Sequence, residues 1–296
     1  MSMHAPFILK LVALAACATA VSSAAHAVDN TRYISITGND ANACTLAAPC
    51  RFLPRGISIT PAGGELRILD SGDYGNSGIV RNSLTISGNG NTIFLRNPIT
   101  IDNADAVVTL RSFTLNGQST IANGISIVAA ASVHIENCVV HNFSQDGIIV
   151  TADGASVFVI SSVSRDNGSG GFVLNSGASL TIDNSHFDNN AGNGVFMLGS
   201  GGLATIRRST ASANGFNGFQ AFAGVMTLDS SLAVGNILRG LNIVSAAAIG
   251  RISNSTFTDN GTGIRNTGTV ETRQNNTVRG NIIDLQDNAL TPIGGI

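Results

Sequence analysis

A glycine that opens an alternating apolar segment returns along this chain at Gly124, Gly147, Gly171, Gly194, Gly218, Gly240 and Gly263, at intervals of 23, 24, 23, 24, 22 and 23 residues. A period this steady means that each unit is one small structural piece stacked on its neighbours, and it constrains the fold more than any local motif does. The residue after the glycine is Ile125, Ile148, Phe172, Val195, Phe219, Leu241 or Ile264. The third after it is Ile127, Val150, Leu174, Met197, Ala221, Ile243 or Asn266. Alternation with period two marks a strand, and these are its two inward columns.

A second strand in each unit is anchored by Ile135, Val159, Ile182, Ile206, Leu228 and Ile252. Eight residues after the last five stand Asn167, Asn190, Asn214, Asn236 and Asn260. An asparagine recurring at one corner predicts left-handed backbone geometry there, with side-chain amides bonded from one turn to the next. The stretch "FDNNAGNGVFML", residues 187–198, is therefore one corner plus the start of the next strand. No segment shows a 3.6-residue apolar period and turn residues arrive too often for helices, which excludes helical and leucine-rich repeats. A coil of about 23 residues with two or three short strands is a parallel β-helix, all-β, of about ten rungs spaced ~4.8 Å apart. Three residues after the second-strand anchor come Cys138, Ser162, Ser185, Ser209, Ser231 and Ser255. Cys138 thus takes the place of a stacked small hydroxyl and reads as structural, not as a catalytic thiol.

Residues 1–27 have the layout of a secretory leader: Lys10, an apolar run from Leu11 to Val21, and a small-residue site at Ala25-His26-Ala27. The apolar run is too short to span a bilayer. "LAAC" at Leu14–Cys17 offers a lipoprotein alternative with Cys17 acylated, but only six residues separate Lys10 from Cys17, so free export to the periplasm or beyond is preferred. Cleavage after Ala27 removes the single lysine and leaves 15 cations, all arginine, against 18 anions. Such a near-neutral chain has no global field for nucleic acid or an anionic membrane. In an oxidising compartment Cys44 and Cys50 can close the loop in "CTLAAPC". The expected organisation is a leader (1–27), an N-terminal cap with the Cys44–Cys50 loop (28–64), the β-helix (65–290) and a tail (291–296).

The segment "GNDANACTLAAPCRF…PAGGELRILDSGDYG", residues 38–75, resembles the entry of secreted bacterial right-handed parallel β-helix proteins of the pectate-lyase-like superfamily. Their pattern is a G-x-D, a C…PC pair, an amphipathic helix and a GGxI…G-x-Y; Cys44, Cys50, Gly63, Gly64, Gly72, Tyr74 and Gly75 match. "RFLPRGISIT" departs from the helical segment, because Pro54 and the β-branched residues disfavour one, and an irregular cap is expected there. The resemblance specifies a fold and not a reaction.

It also implies where chemistry would sit, on the outer face of the first sheet and its adjoining turns. Two residues after each repeat glycine the outward column reads Ser126, Ile149, Val173, Phe196, Gln220, Asn242 and Arg265. Four after it the column reads Val128, Thr151, Asn175, Leu198, Phe222, Val244 and Thr267. Neither holds a carboxylate, whereas a glycoside hydrolase needs two and a calcium-dependent lyase needs several oxygen ligands and a base. The superfamily's "GHG" and "vWIDH" signatures are absent as well. The remaining catalytic candidates are Asp153, Asp70, Asp73 and Arg265, for a polysaccharide lyase or hydrolase. Asp70 and Asp73 read more simply as turn residues around Gly72. His186 with Asp188 lacks further ligands on neighbouring rungs, so no metal site is expected, and calcium between rungs is left open by the resemblance alone. Asp183, Arg207 and Asp229 share a column and predict an ion-pair ladder. "GNGN" and "GSGG" lack the helix that a dinucleotide loop requires.

The preferred reading is a binding module whose first-sheet face, at Phe196, Leu198, Gln220, Phe222, Asn242 and Arg265, meets a polysaccharide or a protein partner. A covering loop or tail over that stripe is the competing expectation.

Overall fold

The computed structural model describes residues 30–76 and 78–294. The leader, its cleavage point after Ala27, and Cys17 lie outside the described residues.

Three parallel sheets wind around one core. Ten strands from Ile79–Val80 to Ile283–Asp287 form the first sheet and twelve from Thr31–Ile34 to Thr291–Pro292 the second. Ten from Gly72–Asp73 to Thr277–Val278 form the third. Each coil visits the first, second and third sheet in turn, as in Ile125–Ala129, Ser132–Glu136 and Val139–His141. The first-sheet register pairs Ile125, Ile148, Phe172, Val195, Phe219, Leu241 and Ile264 in one row, as the repeat predicts. That row and the one two residues on are buried throughout. Each large aliphatic or aromatic side chain so buried contributes roughly 1.5–3 kcal/mol. The stacked core is therefore what holds the coils, with no coil able to bury its own inner face alone.

Two polar ladders line the corners. Asn167, Asn190, Asn214 and Asn236 each donate from Nδ2 to the Oδ1 of the asparagine on the next coil, at 2.9, 3.0, 2.9 and 2.9 Å, and Asn260 donates to Asn281 at 3.1 Å. The same acceptor also takes the backbone N–H, as in Asn190 to Asn214 at 3.0 Å. The left-handed geometry expected at these asparagines falls one residue earlier, at Asp166, Asn189, Ala213, Gly235 and Asp259. With both its donors aimed along the stack at one oxygen, the asparagine is held in line, and the residue before it turns the chain. The repeat glycine is fixed by the same ladder: a Cβ on Gly194 would stand 2.7 Å from the Gly218 carbonyl oxygen and 2.9 Å from Asn214 Nδ2.

The second ladder runs through the serines, Ser162 N–H to Ser185 Oγ and Ser185 N–H to Ser209 Oγ, both at 3.1 Å. Cys138 sits at its start, its N–H donating to Ser162 Oγ at 3.1 Å, and burial pushes its thiol up to about 12. A thiol held protonated in this way is structural.

Two expectations are corrected. Leu53–Ile59 forms a short α-helix rather than an irregular cap. Pro54 lies in the first turn, where no intrahelical N–H is needed. Asp40 Oδ1 accepts the N–H groups of Arg51 and Phe52 at 2.8 and 3.0 Å, and Leu53 and Ile57 are buried. Burial thus outweighs the few tenths of a kcal/mol that β-branching costs per residue. The predicted Asp183–Arg207–Asp229 ladder keeps its register, but Asp183 pairs with Arg208, and Asp229 takes hydrogen bonds from Ser253 Oγ at 2.7 Å and Asn254 Nδ2 at 3.0 Å. Arg208 has left-handed backbone, which swings its side chain back over the preceding strand. The Cys44–Cys50 disulfide is present, beside the second-sheet strand Thr31–Ile34 that the cap segment contributes.

Candidate functional site

The outer face of the first sheet divides along the stack. Toward its middle, Ile149, Val173 and Phe196 form the outward row, with Leu198 and Phe222 beside them. The Phe196 and Phe222 rings meet edge-on, centroids 6.2 Å apart, and Leu198 and Phe222 are 41% and 42% exposed. Among the described residues the tail does not cover this ridge, because Thr291–Pro292 pairs with Glu271–Thr272 in the second sheet. Along one corner, a groove of about 460 Å³ runs over the asparagine ladder from Ser119 to Ile237.

Farther along, the same outward row becomes polar. Gln220, Asn242 and Arg265 stand on successive strands, in register. Arg265 Nε donates to Asp287 Oδ2 at 2.8 Å. Gln220 Oε1 accepts from Asn217 Nδ2 at 2.7 Å, and that same amide nitrogen lies 2.8 Å from Asn193 Oδ1. Asn242 is only 4% exposed, yet its Oδ1 has no partner within the protein; Asn217 Oδ1 and Arg239 Nε are also buried without one. Along the outward row the apolar ridge thus gives way to polar side chains that are themselves largely buried, Gln220 at 9% and Asn242 at 4% exposed.

The structure brings together the six sequence-predicted binding residues but not the catalytic candidates. Asp70 lies at the entry, where Oδ2 accepts from Ser35 Oγ at 2.6 Å, Oδ1 accepts from the Ile36 N–H at 2.9 Å, and Tyr74 bonds the same carboxylate. Burial alone would raise its pKa, but the hydrogen bonds from Ser35, Tyr74 and Ile36 bring it below the ordinary value, so it is an anchoring carboxylate. Asp73 accepts the Gly75 N–H at 2.7 Å and pairs with Arg96 at 3.5 Å. Asp153 accepts the Gly177 N–H at 2.8 Å in a turn. Arg265, toward the opposite end of the stack, faces Asp287, so each candidate is engaged in separate local contacts. His186 reaches only Asp188, at 3.9 Å, and no group of metal-ligating side chains occurs among the described residues.

Sequence reading missed Asn217 and Arg239, which occupy the position before the repeat glycine. That column reads Asn123, Asp146, Gly170, Asn193, Asn217, Arg239 and Thr262, and its recurring Asx residues were the available signal: the N–H groups of Asp146, Gly170 and Asn217 donate to Asn123, Asp146 and Asn193 on the preceding coil.

Comparison with known proteins gives the fold a family context. The model of the right-handed β-helix region matches residues 55–231 and 99–283. No curated protein sequence matches the chain. Among solved structures, pectate lyase Pel9A superposes with a TM-score of 0.63 at 17% identity, covering 87% of this chain and 78% of that one. The mannuronan C-5 epimerase AlgE4 A-module of Azotobacter vinelandii gives 0.54 at 16%, covering 82% and 94%. ORF18 of Geobacillus virus E2 gives 0.58 at 14%, covering 78% and 52%. At these identities the likeness is one of fold alone.

Proposed function

The chain belongs to the right-handed β-helix family, and from that premise we propose that it is an exported protein that binds a glycan along the outer face of its first sheet. One observation carries the reading: a Phe196–Phe222 ridge, with Leu198 and Phe222 exposed, runs in register into Gln220 and Asn242, and the Asn242 Oδ1 lacks a protein partner. Pyranose rings present apolar C–H faces and hydroxyl edges, and such a surface matches both in sequence along the stack. The unpartnered amide oxygens are acceptors that sugar hydroxyls would satisfy. Export is supported by the leader pattern and by the Cys44–Cys50 disulfide, which persists in oxidising compartments. No helix among the described residues is long and apolar enough to cross a membrane.

The test is affinity electrophoresis of the protein through gels containing acidic and neutral polysaccharides, with parallel assays for unsaturated and reducing ends. Retardation without product is expected, and Phe222→Ser should weaken it about ten-fold or more, the loss of one well-placed aromatic contact. Unchanged retardation in Phe196→Ser and Phe222→Ser would remove the reading. Product formation would instead assign catalysis to this fold, with Asp153, Asp70, Asp73 and Arg265 as the first positions to substitute.

A further inference from the structure

The N-terminal cap holds a cavity of its own, several coils before the row that starts at Ile149. It measures about 230 Å³. The cap segment supplies Asp40, Phe52, Pro54 and Arg55, and the turns of the coils beneath supply Asn76 and Arg96. Arg96 is set over Gly75 by its N–H, which donates to the Gly75 carbonyl at 2.9 Å. Phe52 lies against the same glycine, where a Cβ would stand 2.7 Å from Phe52 Cδ1. The Arg51 guanidinium sits over the Phe52 ring, 4.9 Å from its centroid, and Phe52 is still 42% exposed. The ring is thus held in place and keeps apolar surface to offer. Pockets for drug-sized molecules run roughly 300–1,000 Å³, so a cavity of this size suits something smaller.

The charged groups of the lining do not neutralise one another. Asp40 Oδ1 accepts the N–H groups of Arg51 and Phe52, and its Oδ2 has no partner among the described residues. Arg55 makes no side-chain hydrogen bond and no ion pair among those residues; its Nε is buried, and its terminal nitrogens stay open. Arg96 reaches only Asp73, at 3.5 Å, with its side chain 71% exposed. One carboxylate and two guanidinium groups therefore border a small space without closing on each other. A plain anion there would meet Asp40 and a plain cation would meet the arginines, and like charges brought so close oppose binding. A zwitterion meets an opposite charge at each end. Guanidinium groups match a carboxylate with paired N–H donors, while Asp40 Oδ2 and the Asn76 amide oxygen are acceptors for an ammonium.

We propose that this cavity binds a free α-amino acid with an apolar side chain. Its carboxylate lies on Arg55 and Arg96, its ammonium on Asp40 and Asn76, and its side chain against Phe52 and Pro54. The site is separate from the first-sheet face, and neither reading depends on the other.

The experiment titrates the protein by calorimetry with L-leucine, L-valine and L-phenylalanine. The tightest binder is then compared with the same molecule lacking its amino group and lacking its carboxylate; for leucine these are isocaproate and isoamylamine. The Asn76 side-chain amide cross-peak, assigned by its loss in Asn76→Ala, reports where binding occurs. One-to-one saturation with a shift of that peak is expected, each analogue binding about ten-fold or more weakly through the loss of a charge-assisted contact. Arg55→Gln should melt with the wild type, since the Arg55 side chain holds no partner, and should bind the amino acid about ten-fold or more weakly. Absence of saturation at millimolar concentration, an Asn76 peak that stays still, or an unchanged affinity in Arg55→Gln would overturn the site. Equal binding by the acid that lacks the amino group would overturn it too, because Asp40 would then contribute nothing, and equal binding by the amine would say the same of the arginines.

Discussion

Asn214 has no exposed surface and serves five hydrogen bonds. Its Nδ2 reaches Asn236 Oδ1 and the Phe187 carbonyl at 2.9 Å each, its N–H also reaches Asn236 Oδ1, and its Oδ1 accepts both donors of Asn190 at 3.0 Å. Asn214→Ala strands two donors and at least one acceptor in a dry corner, and each unsatisfied group costs about 1–3 kcal/mol. A loss of about 3 kcal/mol or more in urea-induced unfolding is expected; a change under 1 kcal/mol would mean that water replaces the amide. The ladder was legible in the sequence because the hydrogen-bonding side chain itself recurs. The left-handed position was missed although Asp166, Asn189, Gly235 and Asp259 are types that favour that backbone, because Ala213 breaks their series while the asparagine beside them recurs on every one of these coils. Arg239 was hidden because the column it shares with Asn123, Asp146, Asn193 and Asn217 changes from an Asx residue to an arginine at that coil.

Among the elements, the regular strands were readable and the cap was not. Alternation reports a strand's two faces directly, whereas the Leu53–Ile59 helix is stabilised from outside its own sequence, by Asp40 at its start and by the first coils beneath it. A Cβ on Gly56 would lie 2.8 Å from Ile34 Cγ2 and 2.7 Å from Leu66 Cδ1, which shows how closely the helix packs on those strands. The strand Thr31–Ile34 and the coil after it are tied by Asp70, whose carboxylate takes Ser35, Ile36 and Tyr74. Burial would raise its pKa, but the hydrogen bonds from Ser35, Tyr74 and Ile36 hold the folded value below the ordinary 3.8, so its ionised form is the one that folding favours. The resulting stability is fully present above that value and is lost as pH falls through the lower, folded value. Cap unfolding monitored by Tyr33 and Tyr74 fluorescence should therefore steepen below about pH 4, and Asp70→Asn should be less stable at pH 7 and lose that part of the acid dependence. Parallel curves for the two proteins would show that Asp70 stays in the same ionisation state on unfolding.

At the scale of the whole molecule, a solenoid in which each coil touches only its neighbours has stability that is local, and its ends must be finished deliberately. The N-terminal end is closed by the helix. The C-terminal end is closed by a different device: Asn281, last in the ladder, finds no further asparagine and donates its N–H and Nδ2 to Asp284 Oδ1, at 3.3 and 3.0 Å. The carboxylate stands in for the next coil's amide, and Pro292, with no N–H to donate, occupies the last strand of the second sheet. These features blunt an edge that would otherwise template further strands. Asp284→Ala should release Asn281 at a cost of about 1 kcal/mol, a factor of about five in local opening. Hydrogen exchange is then expected to quicken across Thr262–Asn266 and Ile283–Asp287, while amides of the coils around Ile125–Ala129 keep their protection. Equal acceleration at both ends would show that the stack opens as one cooperative body, and the nearest-neighbour picture of its stability would have to be given up.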